Sequence, residues 1–413
     1  MIDVLYALRD ALRDTFDLTL LQWPLLLALA AAAGHLVQRR LGLPQVVGYS
    51  VVGAVAGLAG FSGAVWPLEG TGLLLLQLGV AIVLFEAGGR IALRWFRHNP
   101  MVLLQSLLEA TLTFALVYFT MRKLGMAATV SEALAAIAVT GSPALLNRVV
   151  RDTRATGAVT ERALVLTTLG ALYALALVSA RTHVIHRHRE TLGDTLWPIL
   201  LVLGLSVLVG LGLALALRAA LRVMSPTSEN TSIVLICGIA ASAVLVDDLG
   251  GSAPLAALLG GIFLKQMHPR PWSWPNQLGT AASLLVMLNF VLVAVVAAQA
   301  PWNPAVAGLV LALLAARMAG KVLGVGLANA GSGLGWRQAL WTACAMSPMA
   351  SVALLLVSEF AAASPSLGPP VASVALPAIL LMEVVGAIVA TFAIYRAGET
   401  SREAATEARE RHA

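Results

Sequence analysis

The chain has 413 residues, of which 59% are hydrophobic and only 12% charged, and its mean hydropathy is +0.86. A soluble domain carries about twice that charged fraction, so the composition excludes an ordinary water-soluble protein and predicts a polytopic membrane protein. The formal net charge of +6 does not indicate nucleic-acid binding. Its Lys and Arg residues lie in short segments between apolar runs, where basic residues report membrane topology.

Apolar runs approaching 20 residues favour helices over a barrel of short alternating strands. A polar lead, residues 1–18, precedes them and lacks the pattern of a cleaved signal peptide. We predict about thirteen membrane spans, near residues 19–37, 42–60, 71–89, 101–121, 132–150, 159–180, 195–217, 231–247, 252–267, 278–298, 303–327, 338–358 and 371–394.

The charges between the spans predict an orientation. With the N-terminus outside, most basic clusters fall on the cytoplasmic side, among them Arg39–Arg40, Arg90 and Arg148–Arg154. Two outside segments depart from this rule, one with Arg122 and Lys123 and one with Arg181. The second also carries His183, His186 and His188, which we interpret as a solvated loop rather than a metal site.

The fifth and twelfth spans each carry a Ser-Pro step, at Ser142-Pro143 and Ser347-Pro348. Proline removes a backbone donor, so a helix must kink or break there, and broken backbone at membrane depth needs protein or a water-filled cavity around it. The alternative is two ordinary proline kinks. Two breaks at corresponding places indicate a transporter's binding site, with Gly141, Pro143 and Pro348 as the helix breaks.

The two breaks are seven spans apart, and an odd offset gives the two copies opposite orientation, which is an inverted repeat. We place the first repeat at about 42–217 and the second at about 231–394. Together they lie in a transmembrane domain of residues 19–398, followed by a cytoplasmic tail of residues 399–413.

Four segments resemble those of the cation/proton antiporter superfamily, the sodium/hydrogen exchanger family. They are Leu41–Tyr49, Leu78–Gly88 with its LFEAG sequence, the small-residue segment Leu249–Gly261, and Ala316–Lys321. The resemblance covers nearly the whole chain. It implies an all-α fold of crossed broken helices, with a core domain, a dimerisation domain and homodimers, and it implies exchange of Na⁺ or K⁺ for H⁺.

One departure from the family concerns the sixth span, where the resemblance implies an Asp that binds the proton or the cation. Gly170 or Ala171 occupies that place. Ionisable groups at membrane depth are expensive, so the remaining ones become candidates. Glu383, in the thirteenth span, is the candidate replacement carboxylate, or else a structural partner of Arg317.

The other candidates fall into two groups. Arg317 and Lys321 share one face of the eleventh span, and Arg317 should need a nearby carboxylate from Glu86, Glu109 or Glu383. We expect core charge pairing among Glu86, Glu109, Arg317 and Lys321. Oxygen ligands for a hard cation are predicted from hydroxyl side chains near the breaks, or else these hydroxyls bond their own helices; they are Thr140, Ser142, Thr167, Thr168 and Ser347.

Together these features predict a secondary transporter that exchanges a monovalent cation for protons by alternating access. The alternatives are a transport-inactive scaffold, sensor or partner subunit, and a carrier of anions or organic acids. An enzyme is not indicated, because no nucleophile–base pair, cofactor motif or metal-ligand set is visible. The expected partners are a cation, protons, the lipid bilayer and a second copy of the chain, and the expected location is the bacterial inner membrane.

Overall fold

The computed structural model describes residues 18–61, 63–187, 192–225, 228–267 and 276–400. Regular structure in these ranges is helical. The helices are α1 (Leu18–Leu41), α2 (Gln45–Leu58), α3 (Gly70–Gly88), α4 (Leu93–His98), α5 (Pro100–Lys123), α6 (Ala128–Val139), α7 (Pro143–Thr153), α8 (Ala158–Arg187), α9 (Leu192–Val223), α10 (Glu229–Asp248), α11 (Ala253–Met267), α12 (Asn276–Ala298), α13 (Pro304–Leu327), α14 (Trp336–Ala345), α15 (Ser351–Ala363) and α16 (Gly368–Arg396).

Each of the thirteen predicted spans corresponds to one helix or to one pair of helices. Within the described ranges, nine helical segments are long and apolar enough to cross a membrane, and four shorter apolar helices accompany them. The fifth span is the pair α6 and α7, and the twelfth is the pair α14 and α15. The prediction of an all-α fold with two broken helices is therefore confirmed, and the short α4 is an addition that the hydropathy pattern did not indicate.

Proline explains both breaks. α6 ends at Val139, and Pro143 occupies the first turn of α7, where the missing N–H is not needed. The Ser142 side chain caps α7 by accepting a hydrogen bond from the Leu145 N–H at 3.3 Å. The second break separates α14 from α15 around Pro348. The two breaks cross, because the Ser142 N–H donates to the Pro348 carbonyl at 3.1 Å.

Helices α5 and α13 approach each other more closely than side chains normally permit. A Cβ atom placed on Gly320 would lie 2.5 Å from the Thr113 Cα, and one on Gly324 would lie 2.3 Å from the Glu109 Cα. Small residues four apart on one helix face allow such backbone contact in membrane proteins. The same face carries Arg317 and Lys321, so the close approach brings both cations inside the fold.

Three buried apolar clusters occur in the described chain, the smallest of them formed by Val209, Val246, Ala253 and Ala256. The largest one joins the broken helices to α5, α8, α13, α16 and the pair α2 and α12. A smaller cluster joins α3 to α9, α10 and α11. The assignment of a moving core, a dimerisation domain and the repeat boundaries stays a prediction.

Polar contacts gather the predicted cytoplasmic segments on one side of the fold. The Gln45 N–H donates to Asp152 at 3.0 Å, the Gln266 amide to the Ile91 carbonyl at 3.1 Å, and Arg162 to the Ser332 carbonyl at 2.9 Å. On the other side, the Gln299 amide donates to the Ala64 carbonyl at 2.8 Å. The grouping follows the predicted topology, and which side faces the cytoplasm stays a prediction.

One exception to the charge rule has a local explanation. Arg181 forms an ion pair with Glu132 at 3.0 Å, so its charge is compensated where it stands. The backbone of His183 and His186 is helical, because α8 extends to Arg187, which replaces the start of the expected loop. His188 and the three histidine side chains lie outside what the structure describes.

Glu399, three residues after α16, caps the start of α8. Its two carboxylate oxygens accept hydrogen bonds from the N–H groups of Val159 and Thr160, each at 2.8 Å. The Thr156 N–H donates to the Glu399 carbonyl at 3.0 Å. A carboxylate at a helix N-terminus satisfies backbone donors and complements the helix dipole, so the end of the described chain fixes α8 in place.

Candidate functional site: the crossing of the broken helices

Arg317 lies fully buried between the two breaks. Its guanidinium donates to four backbone carbonyls, those of Ala138 (3.0 Å), Thr140 (2.8 Å), Ser347 (2.6 Å) and Pro348 (3.3 Å). Arg317 forms no ion pair with a carboxylate in the described part of the chain, although Glu109 lies close enough to interact with its charge. The breaks free carbonyl groups, and the planar fork of an arginine satisfies several of them at once.

The position of Arg317 also suits the helix dipoles. The carbonyls come from the C-terminal ends of α6 and α14 and from the residues just after them, where partial negative charge accumulates. The positive charge of Arg317 is thus compensated by these dipoles. A guanidinium has five N–H groups, and at least four bonds to carbonyls leave little for an anion.

Lys321, one turn beyond Arg317, pairs with Glu109 of α5. The Nζ–Oε1 distance is 2.5 Å, and both side chains are at most 1% exposed. The Thr113 hydroxyl donates to the same oxygen at 3.3 Å. The second oxygen of Glu109, Oε2, has no hydrogen-bond partner among the described residues. Core charge pairing therefore occurs at Glu109 and Lys321.

Glu383 on α16 is fully buried, and neither carboxylate oxygen has a hydrogen-bond partner in the described part of the chain. Ser50 of α2 lies against it, but the Ser50 hydroxyl donates to the Val46 carbonyl at 3.0 Å. One turn further along α16, the Gly386 carbonyl accepts a hydrogen bond from the Ser347 hydroxyl at 3.2 Å. Glu383 therefore lies beside the second break, with no ion-pair partner among the residues that the structure describes.

Most of the predicted hydroxyl ligands are engaged with backbone. Thr140 donates to the Ile137 carbonyl and Thr168 to the Leu164 carbonyl, each at 2.7 Å. Ser142 and Ser347 make the capping and interhelical bonds already described. Thr167 differs, because its buried hydroxyl has no partner in the residues described and its methyl group packs against Gly141.

Glu86 lies away from the crossing, on the side that carries the basic clusters. Its carboxylate accepts hydrogen bonds from Arg90 and Asn147, each at 3.1 Å, and from Arg151. The expected ion pair of Glu86 therefore forms with Arg90, just after α3, and with Arg151 of α7, rather than with Arg317 or Lys321. It ties the end of α7 to α3 near the surface.

A cavity of about 330 Å³ leads from that side to the first break. Pro143 and Thr168 line its inner part, and its polar lining residues include Arg90, Asn147 and Glu161. Most of its other lining residues are apolar, and its volume is large enough to hold several water molecules. The cavity gives the first break a route to solvent.

Two contacts at the site were not predicted from the sequence. Gly170 faces the end of α6, because a Cβ atom there would lie 3.2 Å from the Val139 carbonyl oxygen and 3.9 Å from Glu109 Oε2. Ser50 faces Glu383. No local sequence pattern indicates either contact.

Comparison with known proteins agrees with this fold. Residues 25–396 match the family described as sodium/hydrogen exchanger, transmembrane. The fold is similar to that of the sodium proton antiporter MjNhaP1 from Methanocaldococcus jannaschii at pH 8, with a TM-score of 0.68 and 15% identity over 92% of this chain and 98% of that one.

A second structure of the same antiporter, from an electron-microscopy map, gives a TM-score of 0.62 and 16% identity over 90% of this chain and 94% of that one. No curated protein matches the chain. The solved structures establish the shared fold, and the family match extends over most of the sequence. The chain belongs to the sodium/hydrogen exchanger family.

Proposed function

We propose that this protein exchanges a monovalent cation, Na⁺ or K⁺, for protons by alternating access, with Glu383 as a carboxylate that binds either one. The observation that carries the proposal is the state of the buried charges at the crossing. Arg317 and Lys321 are bonded to carbonyls and to Glu109, whereas Glu383 is buried and neither of its carboxylate oxygens has a hydrogen-bond partner among the described residues.

The exchange chemistry follows from the difference between Glu383 and these paired charges. A carboxylate buried without a donor is costly, so it must hold either a proton or a cation. Because the two ligands compete for one group, release of one permits binding of the other, and this competition couples their movements. Alternating access would expose Glu383 to each side in turn. The homodimer implied by the family resemblance belongs to the same proposal.

The test is cation-dependent proton flux in liposomes that contain the purified protein and a pH-sensitive dye. Na⁺, K⁺ and Li⁺ are added in turn over a pH series. We expect flux with Na⁺ or K⁺ in the wild type and its loss in Glu383→Gln. The matched control is Glu132→Gln, which neutralises a part-exposed carboxylate paired with Arg181 away from the crossing and should retain flux.

A silent wild type that is folded and dimeric would overturn the proposal and favour the transport-inactive scaffold, which Gly170 at the place of the family's Asp also favours. Flux that depends on the anion and fails in Arg317→Ala would favour the anion carrier. Full flux in Glu383→Gln would remove Glu383 from the mechanism while leaving exchange intact.

A further inference from the structure

The short helix α4 forms one wall of the cavity that leads to the first break. Trp95 and Phe96 of α4 line this cavity. Phe96 is buried, Trp95 is partly buried, and their rings pack edge to face with centroids 5.6 Å apart. Pro143 of α7 and Glu161 of α8 belong to the same lining. The position and charge of α4 therefore affect what can enter the cavity.

Two exposed arginines, Arg94 and Arg97, flank these aromatic residues in α4. Successive residues of an α-helix are about 100° apart around its axis. The pair Arg94 and Arg97 is therefore centred on the side of α4 opposite to the pair Trp95 and Phe96. We call these two arginines the basic face of α4. Leu93, which is 47% exposed, borders this face.

The basic face of α4 lies where two membrane spans end. α3 ends at Gly88 and α5 begins at Pro100, so the helix between them is at the boundary of the bilayer. The first turns of α5 carry a row of exposed apolar side chains, which marks a surface in contact with lipid. They are Leu103, Leu104 and Leu107. Because α5 begins two residues after α4, the basic face is next to the lipid headgroups.

The charge of the basic face is unfavourable for a cavity that admits cations. Arg90, which also lines the cavity, is paired with Glu86. Arg97, by contrast, forms no ion pair with a carboxylate in the described part of the chain. Charges of one sign at the mouth of a cavity lower the local concentration of ions of the same sign. A negatively charged partner that covers the basic face removes this barrier, and the adjacent headgroup layer can supply one.

We infer that the basic face of α4 binds the phosphate groups of anionic phospholipids and that this binding neutralises the mouth of the cavity for cation entry. The planar guanidinium group of arginine matches the geometry of phosphate. One arginine beside an anionic membrane surface strengthens binding by about fivefold. Leu93 adds an apolar contact with the lipid chains. The lipid site goes beyond the proposed exchange, whereas its effect on cation entry rests on that function.

The first experiment measures lipid binding without transport. The thermal unfolding midpoint of the purified full chain is recorded in detergent with short-chain phosphatidylglycerol, short-chain phosphatidylcholine or inorganic phosphate, at equal ionic strength. A ligand that binds the folded state raises this midpoint by mass action. We expect only phosphatidylglycerol to raise it in the wild type. The rise should fall by at least about half in Arg94→Gln/Arg97→Gln, which removes the charge of the basic face.

Two further variants separate the basic face from positive charge in general. Arg122→Gln/Lys123→Gln removes two exposed charges at the other end of α5 and should keep the full rise in the midpoint. Arg94→Lys/Arg97→Lys keeps both charges of the basic face and should keep most of the rise. An unchanged rise in Arg94→Gln/Arg97→Gln, an equal fall in the α5 variant, or an equal rise with inorganic phosphate would each overturn the lipid site on α4.

The second experiment measures the effect on cation entry. Cation-dependent proton flux gives the apparent KM for Na⁺ or K⁺ in vesicles of phosphatidylcholine and in vesicles of an equal mixture of phosphatidylcholine and phosphatidylglycerol. In phosphatidylcholine we expect Arg94→Gln/Arg97→Gln to have an apparent KM at least about threefold below that of the wild type. In the mixture the two values should agree. Comparing both proteins in the same vesicles cancels the general attraction of cations to an anionic surface.

The two experiments separate this inference from the proposed function. Equal apparent KM values in phosphatidylcholine would overturn the effect of the basic face on cation entry. A wild type without flux would overturn the proposed exchange, and the midpoint measurement would still decide the lipid site, because it does not depend on transport.

Discussion

Both broken helices are interrupted at a Ser-Pro step, but the surroundings of the two breaks differ. In the first, α7 begins at a side-chain cap and carries polar residues toward its end, where Arg151 and Asn147 reach Glu86 and the cavity. In the second, Ala350 precedes α15 and provides no side-chain cap, and residues 351–358 are all buried. A helix break that is repeated in both halves can therefore be open to solvent in one half and enclosed in the other.

Arg317 links the two breaks, so its removal should have the largest effect. Arg317→Met leaves four carbonyls without donors, and each buried unsatisfied group costs about 1–3 kcal/mol. We expect the free energy of unfolding to fall by at least about 3 kcal/mol, with little folded protein recovered. Thermal melting and size-exclusion chromatography measure this against Arg337→Met, which removes an exposed arginine.

If Arg317→Met melts within a degree or two of the wild type, the crossing does not depend on this guanidinium. The two breaks would then be held by packing and by the Ser142–Pro348 backbone bond. Arg317 would then not be the main contact between the two halves.

Ser142→Ala should affect only the first break. Loss of an N-terminal cap costs about 1 kcal/mol, so we expect a loss of this size in the free energy of unfolding. Ser358→Ala in α15 is the matched control, because its hydroxyl bonds the Leu354 carbonyl of its own helix and its loss should be nearly neutral. Equal losses in both variants would contradict the difference between the two breaks.

Glu86→Gln should have the smallest effect. The arginine partners of Glu86 are 41% and 43% exposed, and exposed ion pairs contribute about 0–1 kcal/mol. We expect a loss within that range that shrinks further as salt is added, because exposed charges are screened. Melting at low and high ionic strength measures it. A loss in the free energy of unfolding above about 2 kcal/mol, independent of salt, would instead indicate that Glu86 acts as a buried charge.

Much of this fold could be predicted from hydropathy alone. Thirteen apolar runs, two of them interrupted by Ser-Pro, are enough to give the number of spans and both breaks, because the bilayer demands long apolar helices and proline cannot donate. Charge in an apolar run is costly, so the sequence alone also identified the buried charged residues as candidates. They are Glu109, Arg317, Lys321 and Glu383.

The partners of these groups could not be predicted. Whether Arg317 bonds a carboxylate or carbonyls depends on where the crossing places the ends of α6 and α14, and sequence spacing does not encode that geometry. The contact between Glu109 and Gly170 depends on how closely α5 packs against α13 and α8. Such contacts between residues distant in sequence arise from tertiary packing, which a one-dimensional pattern does not contain.

The cap that Glu399 provides has a practical consequence for handling this protein. Glu399 lies three residues after α16 and accepts hydrogen bonds from the first turn of α8. A conventional trimming of the C-terminus would discard this residue. A purification tag or a fluorescent fusion therefore belongs after Thr400, and a shortened version that ends at Arg396 would release the end of the helix that carries Gly170.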